Sequence, residues 1–191
     1  MKRLIRWIAL SQPFGLSSEV PTESLVDAPE IGEQPLFSRY YTRQMQPEEV
    51  YESLMLIAES NRSGSSNFSQ REQARLAWLG QFSQNMGTDE GEEMDHFNGS
   101  IRQSLIMMNG PLMQRAISRE HSSLLGRVAK SDMAPAAKIE HLFLAALARK
   151  PNKRELEMAL KLYEQHEDDP AAALQDVWWA LLNSSEFILD H

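Results

Sequence analysis

Ala171–His191, AAALQDVWWALLNSSEFILDH, is the stretch whose spacing decides the fold class. From Leu174 the apolar residues Val177, Trp178, Leu181 and Leu182 follow at steps of three, four, seven and eight, the stripe of a helix that buries one face. Asp169 and Pro170 mark its start. An aspartate carboxylate accepts from free first-turn amides, and proline lacks a donor that the first helical position does not use. Trp179 lies off the stripe, so it is expected to pack against another part of the chain or a surface outside it, and it is read as an interface residue.

The same pattern extends upstream. Pro135 to Arg149 places Ile139, Leu142, Phe143, Ala146 and Leu147 on one face, with His141 opposite, and Lys150 and Pro151 are expected to break it. Asn152 with Glu155 forms a capping-box variant for a helix through about His166. Three helices with short links predict antiparallel neighbours. Further back, short helices are predicted over Ile101–Met108, Pro111–Ser118 and Ser122–Ala129. Asn109, Gly110 and Pro111 are expected to end the first of these and begin the next, since Asn and Gly tolerate the left-handed conformation of a helix terminus and Pro suits a first turn.

Pro47 opens another helix, with Glu48 and Glu49 in its first turn and Val50, Leu54 and Ile57 as its buried stripe. Arg71–Met86, carrying Ala74, Leu76, Trp78, Leu79 and Phe82, reads as the next, stopped by Gly87. The first helix carries Leu4, Ile5 and Ile8 on one face and ends near Ser11. Its basic-then-apolar start resembles a signal peptide, but Arg6 interrupts an apolar run already short for that role. Between them, Pro13, Gly15, Pro21, Pro29, Gly32 and Pro35 break any regular element, with Leu36, Phe37, Tyr40 and Tyr41 as anchors. No run of alternating residues reads as a strand. The predicted fold is all-α: an irregular multi-helix bundle with a long N-terminal loop (13–46) and a C-terminal three-helix unit. It is read as a single helical domain: a helix over 1–12, the loop, helices over 47–130 with an acidic loop at 88–96, and the C-terminal unit over 131–191.

Composition excludes several functions. The hydrophobic content of 42% and charged content of 24% are those of a globular chain, and no apolar run approaches the ~20 residues of a membrane span. A net charge of −8, without a clustered basic patch, argues against a nucleic-acid partner. The absence of cysteine removes disulfides, thiolate metal sites, a cysteine nucleophile and covalent haem attachment through C-x-x-C-H.

Two polar groups remain as candidate sites. Asp89, Glu90, Glu92, Glu93 and Asp95, beside His96, are oxygen donors of the kind hard cations take, though without EF-hand spacing; a solvated charge run is the plainer reading. Asp176, Asn183 and His191 are candidate catalytic groups, Asp176 and Asn183 lying two turns apart on one helix face. The plainer reading has Asn183 bonding carbonyls at the helix end and Asp176 pairing with an arginine. Met107, Met108 and Met113 have core spacing before they have the look of haem ligands. Trp7, Tyr40, Tyr41 and Trp179 are the candidate interface residues.

With these segments in place, LIRWIALSQPFGLSS, MQPEEVYESL, GTDEGEEMDHFNGSIRQSLIMMNGPLMQ, LFLAALARKPNKREL and ALQDVWWALLNSSEFILDH, in that order, resemble the planctomycete-type domain of unknown function numbered fifteen-fifty-three. That domain lies C-terminal in large proteins that often carry a planctomycete cytochrome c domain. Arg102 stands where the family commonly has proline, and Asp190 where asparagine is frequent before the last histidine. The family supplies no catalytic residues to carry over. The resemblance implies a C-terminal fragment, roughly two thirds of the domain, with no cofactor of its own and haem c elsewhere in the full-length protein. Its partners would be the missing N-terminal part or other domains of the same protein. Its location would be periplasmic or envelope-associated within an exported protein, and cytoplasmic if the chain is made alone. The leading expectation is a non-catalytic helical module that packs against or positions other domains. The alternatives are part of a hydrolytic or redox enzyme completed by a missing half, and a carbohydrate- or metal-binding module using the 36–41 or 88–96 segments.

Overall fold

Several helix boundaries in this chain fall where side chains satisfy backbone groups that a helix end leaves free. The structure, a computed structural model, describes residues 1–18, 36–58, 68–83, 101–166 and 168–190. The fold is all-α. The described residues belong to two units, Met1–Gln44 with Leu189–His191, and Met45–Ile188.

The first unit holds helix α1 (Lys2–Ala9), a 3-10 turn at Gln12–Gly15, and strands β1 (Arg43–Gln44) and β2 (Leu189–Asp190). Ser11 closes α1 by donating its hydroxyl to the Ile8 carbonyl at 2.7 Å. The strands pair antiparallel, Arg43 opposite Asp190 and Gln44 opposite Leu189. A two-residue strand has no room for alternation, which is why the sequence carries no sign of it.

The second unit contains α2 (Pro47–Ala58), α3 (Phe68–Ser83), α4 (Ile101–Asn109), α5 (Pro111–Ala116), α6 (Leu124–Lys130), α7 (Pro135–Leu147), α8 (Lys153–Gln165) and α9 (Pro170–Leu182). Helix α2 packs on α3 and α5, and α7, α8 and α9 pack pairwise as the C-terminal three-helix unit. Val50, Leu54 and Ile57 of α2 are buried as their spacing requires. Trp78 stacks on Phe82 at a centroid distance of 4.4 Å and tilts against Tyr51 at 5.4 Å, joining α2 to α3. Trp178 and Leu182 of α9 have no exposed surface and join Leu142, Ile139, Leu125 and Val50 in one apolar core.

Capping follows the sequence closely in the C-terminal unit. Asn152 and Glu155 make both halves of the capping box, and the Asp169 carboxylate accepts from the Ala172 amide. Elsewhere the ends of earlier helices receive donors from later ones. The Gln103 amide donates to the Phe82 carbonyl, the Lys138 ammonium to Ala129 at 2.8 Å, and Gln175 and Trp178 to Ile117 and Ala116 at 2.9 and 3.1 Å. Each of these places a donor on a carbonyl near a helix C-terminus.

Two helix ends differ in detail from expectation. Neither Asn109 nor Gly110 is left-handed; Gly110 is extended, at φ −63° and ψ 155°. Glycine is required there because a Cβ would run into the Ile106 carbonyl. Helix α7 stops at Leu147, before Lys150 and Pro151, on a left-handed Ala148 at φ 54°. That turn aims the next residue, Arg149, at two carboxylates.

Candidate functional site

The last turn of α9 is held by its own polar side chains. Asn183 donates its amide to the Trp179 carbonyl at 2.9 Å, the helix-end role its position suggested. The Ser184 hydroxyl donates to Leu181 at 2.7 Å and accepts from the Phe187 amide at 3.2 Å, turning the chain back. Trp179 lies on the flank of α9 beside α4, half-buried, and its indole N–H donates to the Met108 carbonyl at 3.2 Å. The surface that Trp179 meets thus belongs to this chain.

Between α4 and the end of α9 these contacts leave an open groove of about 500 Å³. Met107, Met108, Trp179, Leu182 and Ile188 supply its apolar lining, and Ser104, Asn183, Ser184 and Ser185 its polar atoms. Among the described residues that line it there is no Asp, Glu, His, Lys or Arg. A serine nucleophile needs a neighbouring base, and acid–base chemistry needs a titratable group. The groove therefore has the composition of a binding surface.

Of the candidate catalytic groups, Asn183 lines the groove and Asp176 does not. Asp176 is exposed, does not line the groove and makes no ion pair with another described residue, so the arginine partner expected for it is not found. His191 lies outside the described residues, as do Asp89, Glu90, Glu92, Glu93 and Asp95. Among the described residues no three His, Asp or Glu side chains gather in a way that could hold a metal.

The strongest electrostatic feature is one that sequence reading passed over. Arg149 donates to Glu186 through Nε and Nη2 at 2.5 and 2.7 Å, and to Glu155 through Nη1 and Nη2, both at 2.9 Å. Its guanidinium also sits 5.7 Å from the Phe143 ring centroid. The hydrogen bonds that Arg149 donates to Glu186 and Glu155 push its pKa up, and the same bond draws that of Glu155 below the usual carboxylate range. The guanidinium is fully used in joining the end of α7, the start of α8 and the turn after α9, which is a structural role. Arg119 similarly draws down the pKa of Asp169, which it meets at 2.7 Å.

A smaller cavity of about 340 Å³ lies around Gln114, Arg115, Glu120 and Ser123. Its Ser123 hydroxyl is already engaged, 2.8 Å from the Glu120 carbonyl and 2.9 Å from the Gly126 amide that it caps.

In the first unit, Trp7 is 64% exposed, whereas Tyr40 and Tyr41 are partly buried. Tyr41 belongs to a local cluster: its ring meets Phe37 edge-on at 6.0 Å, the Arg39 guanidinium lies 4.8 Å from its centroid, and its hydroxyl accepts from the Phe37 amide. No helix of the described residues is long and apolar enough to cross a membrane.

No family model, curated protein or solved structure matches this chain.

Proposed function

We propose that the helical body is a non-catalytic docking module of a larger exported bacterial protein, similar to the planctomycete-type domain whose motifs its sequence resembles. The single observation that carries this reading is the chemistry of the α4–α9 groove. It exposes a tryptophan, a methionine and hydroxyls, and none of the described residues that line it is an acid or a base. Tryptophan and methionine are enriched where proteins meet, because they bury large, adaptable surface at modest entropic cost. The occupant is a segment of a neighbouring domain of the same protein, and any haem c belongs to such a domain, since this chain has no cysteine to attach it.

Hydrogen exchange with mass spectrometry on the protein made from its complete reading frame, with residues 1–191 alone as reference, tests this. Slower exchange confined to 104–108 and 179–188 in the longer protein is the expected result. Equal exchange in the two proteins would remove the reading, as would a turnover reaction that Trp179→Ala leaves intact and Asp176→Ala abolishes.

A further inference from the structure

We propose that α1 is an interfacial helix that lies on an anionic lipid bilayer, its apolar side at the acyl boundary and its cations among the headgroups. At 100° per residue Leu4, Ile5, Trp7 and Ile8 share an arc of about 160°, with Lys2, Arg3 and Arg6 on the opposite side. Leu4 and Ile5 are each 59% exposed, Ile8 51%, and no residue of α1 is buried. Leu10 and Phe14, just beyond the helix, are exposed as well.

Charge identifies the occupant. Residues 1–18 contain three cations and no acid, in a chain whose net charge is −8. The segment is thus opposite in sign to the rest of the molecule and complementary to a negative surface. A carboxylate-rimmed protein groove would also match these cations, and Met1, Leu4, Ile5 and Ile8 have the row spacing such a groove takes. Trp7 decides against it. The indole widens the face beyond that row and sits at its flank with the Arg3 guanidinium 5.7 Å from its ring, a pairing suited to the headgroup level. Two turns of helix give weak binding that depends on salt, a reversible contact in place of an anchor.

The test is co-sedimentation of the full chain with vesicles of phosphatidylcholine, alone or mixed with phosphatidylglycerol. Binding is expected only to the anionic vesicles, and it is expected to weaken when salt rises from about 0.15 M to about 1 M, which shortens the screening length from ~8 to ~3 Å. Arg3→Gln with Arg6→Gln should weaken it about 25-fold, roughly five-fold per cation. Ile5→Ser with Ile8→Ser should abolish it with every charge retained. All four side chains are exposed, so circular dichroism should be unchanged apart from α1. Equal binding to neutral vesicles, no binding, or full binding by the Ile5→Ser, Ile8→Ser variant would overturn the proposal. So would concentration-dependent self-association that the same variant removes, because the face would then belong to a second copy.

Discussion

Trp178 and Trp179 are neighbours in sequence with opposite roles, and replacing each by alanine separates core from site. Trp178 has no exposed surface, and its indole N–H is bonded to the Ala116 carbonyl at 3.1 Å. Truncation leaves a large cavity and a carbonyl without its donor, so Trp178→Ala should cost about 4 kcal/mol. Trp178→Phe keeps most of the volume and loses chiefly the donor, at about 2 kcal/mol. Trp179 is half-buried in an open groove, and water can replace its bond to Met108. Trp179→Ala should therefore cost only about 1 kcal/mol. Urea unfolding followed by far-ultraviolet circular dichroism measures all three, with unchanged m-values showing that the unfolded states are comparable. The difference of about 3 kcal/mol is roughly two decades in the folding equilibrium. Equal costs for the two alanine variants would mean that Trp179 is core and that the groove is a packing defect, and a Trp178→Ala cost below about 1 kcal/mol would refute the assignment of the core.

Gly126→Ala should destabilise by about 1–3 kcal/mol, because the new Cβ would collide with the Glu120 carbonyl. Gly80→Ala, inside α3 with nothing within 4 Å, should instead stabilise by about 0.5–1 kcal/mol; thermal melts distinguish the signs. Asn152→Ala removes half of the capping box and should cost about 1 kcal/mol in the same melts. The depressed pKa of Glu155 means that the unfolded chain takes up its proton first on acidification. The stability this residue adds is therefore complete above about pH 4.5 and lost as pH falls through its lower folded value. Glu155→Gln should flatten that acid limb in unfolding measured against pH, and an unchanged limb would assign it to other carboxylates.

The helices were legible because their information is local. Leu174, Trp178, Leu181 and Leu182 announce a buried face by spacing alone, and Asn152, Glu155, Asp169 and Pro170 announce ends through bonds that span three residues. What escaped depends on residues far apart in the chain. Trp178 reaches Ala116 across 62 positions, and Arg149 reaches Glu186 across 37. The β1–β2 pair joins residues 43–44 to residues 189–190, with two residues on each side. No periodicity encodes such partnerships, because each is fixed by how the helices pack.

The site shows the same limit from the other side. Trp179 lies off its own stripe, and spacing alone does not say that its indole meets the Met108 carbonyl. Asp176 and Asn183 share a face by the seven-residue rule, yet only Asn183 lines the groove, because that groove forms where α9 ends beside α4. A polar residue midway along the helix does not reach that junction. The end of a helix is where side-chain donors turn back to the backbone and leave apolar neighbours partly uncovered, so a binding surface can form there without a polar cluster. Glu186, close to the groove in sequence, is held in the Arg149 clamp through both carboxylate oxygens. Glu186→Gln should therefore lower stability through loss of the ion pair while leaving occupancy of the groove unchanged, and a loss of docking without loss of stability would reverse the assignment.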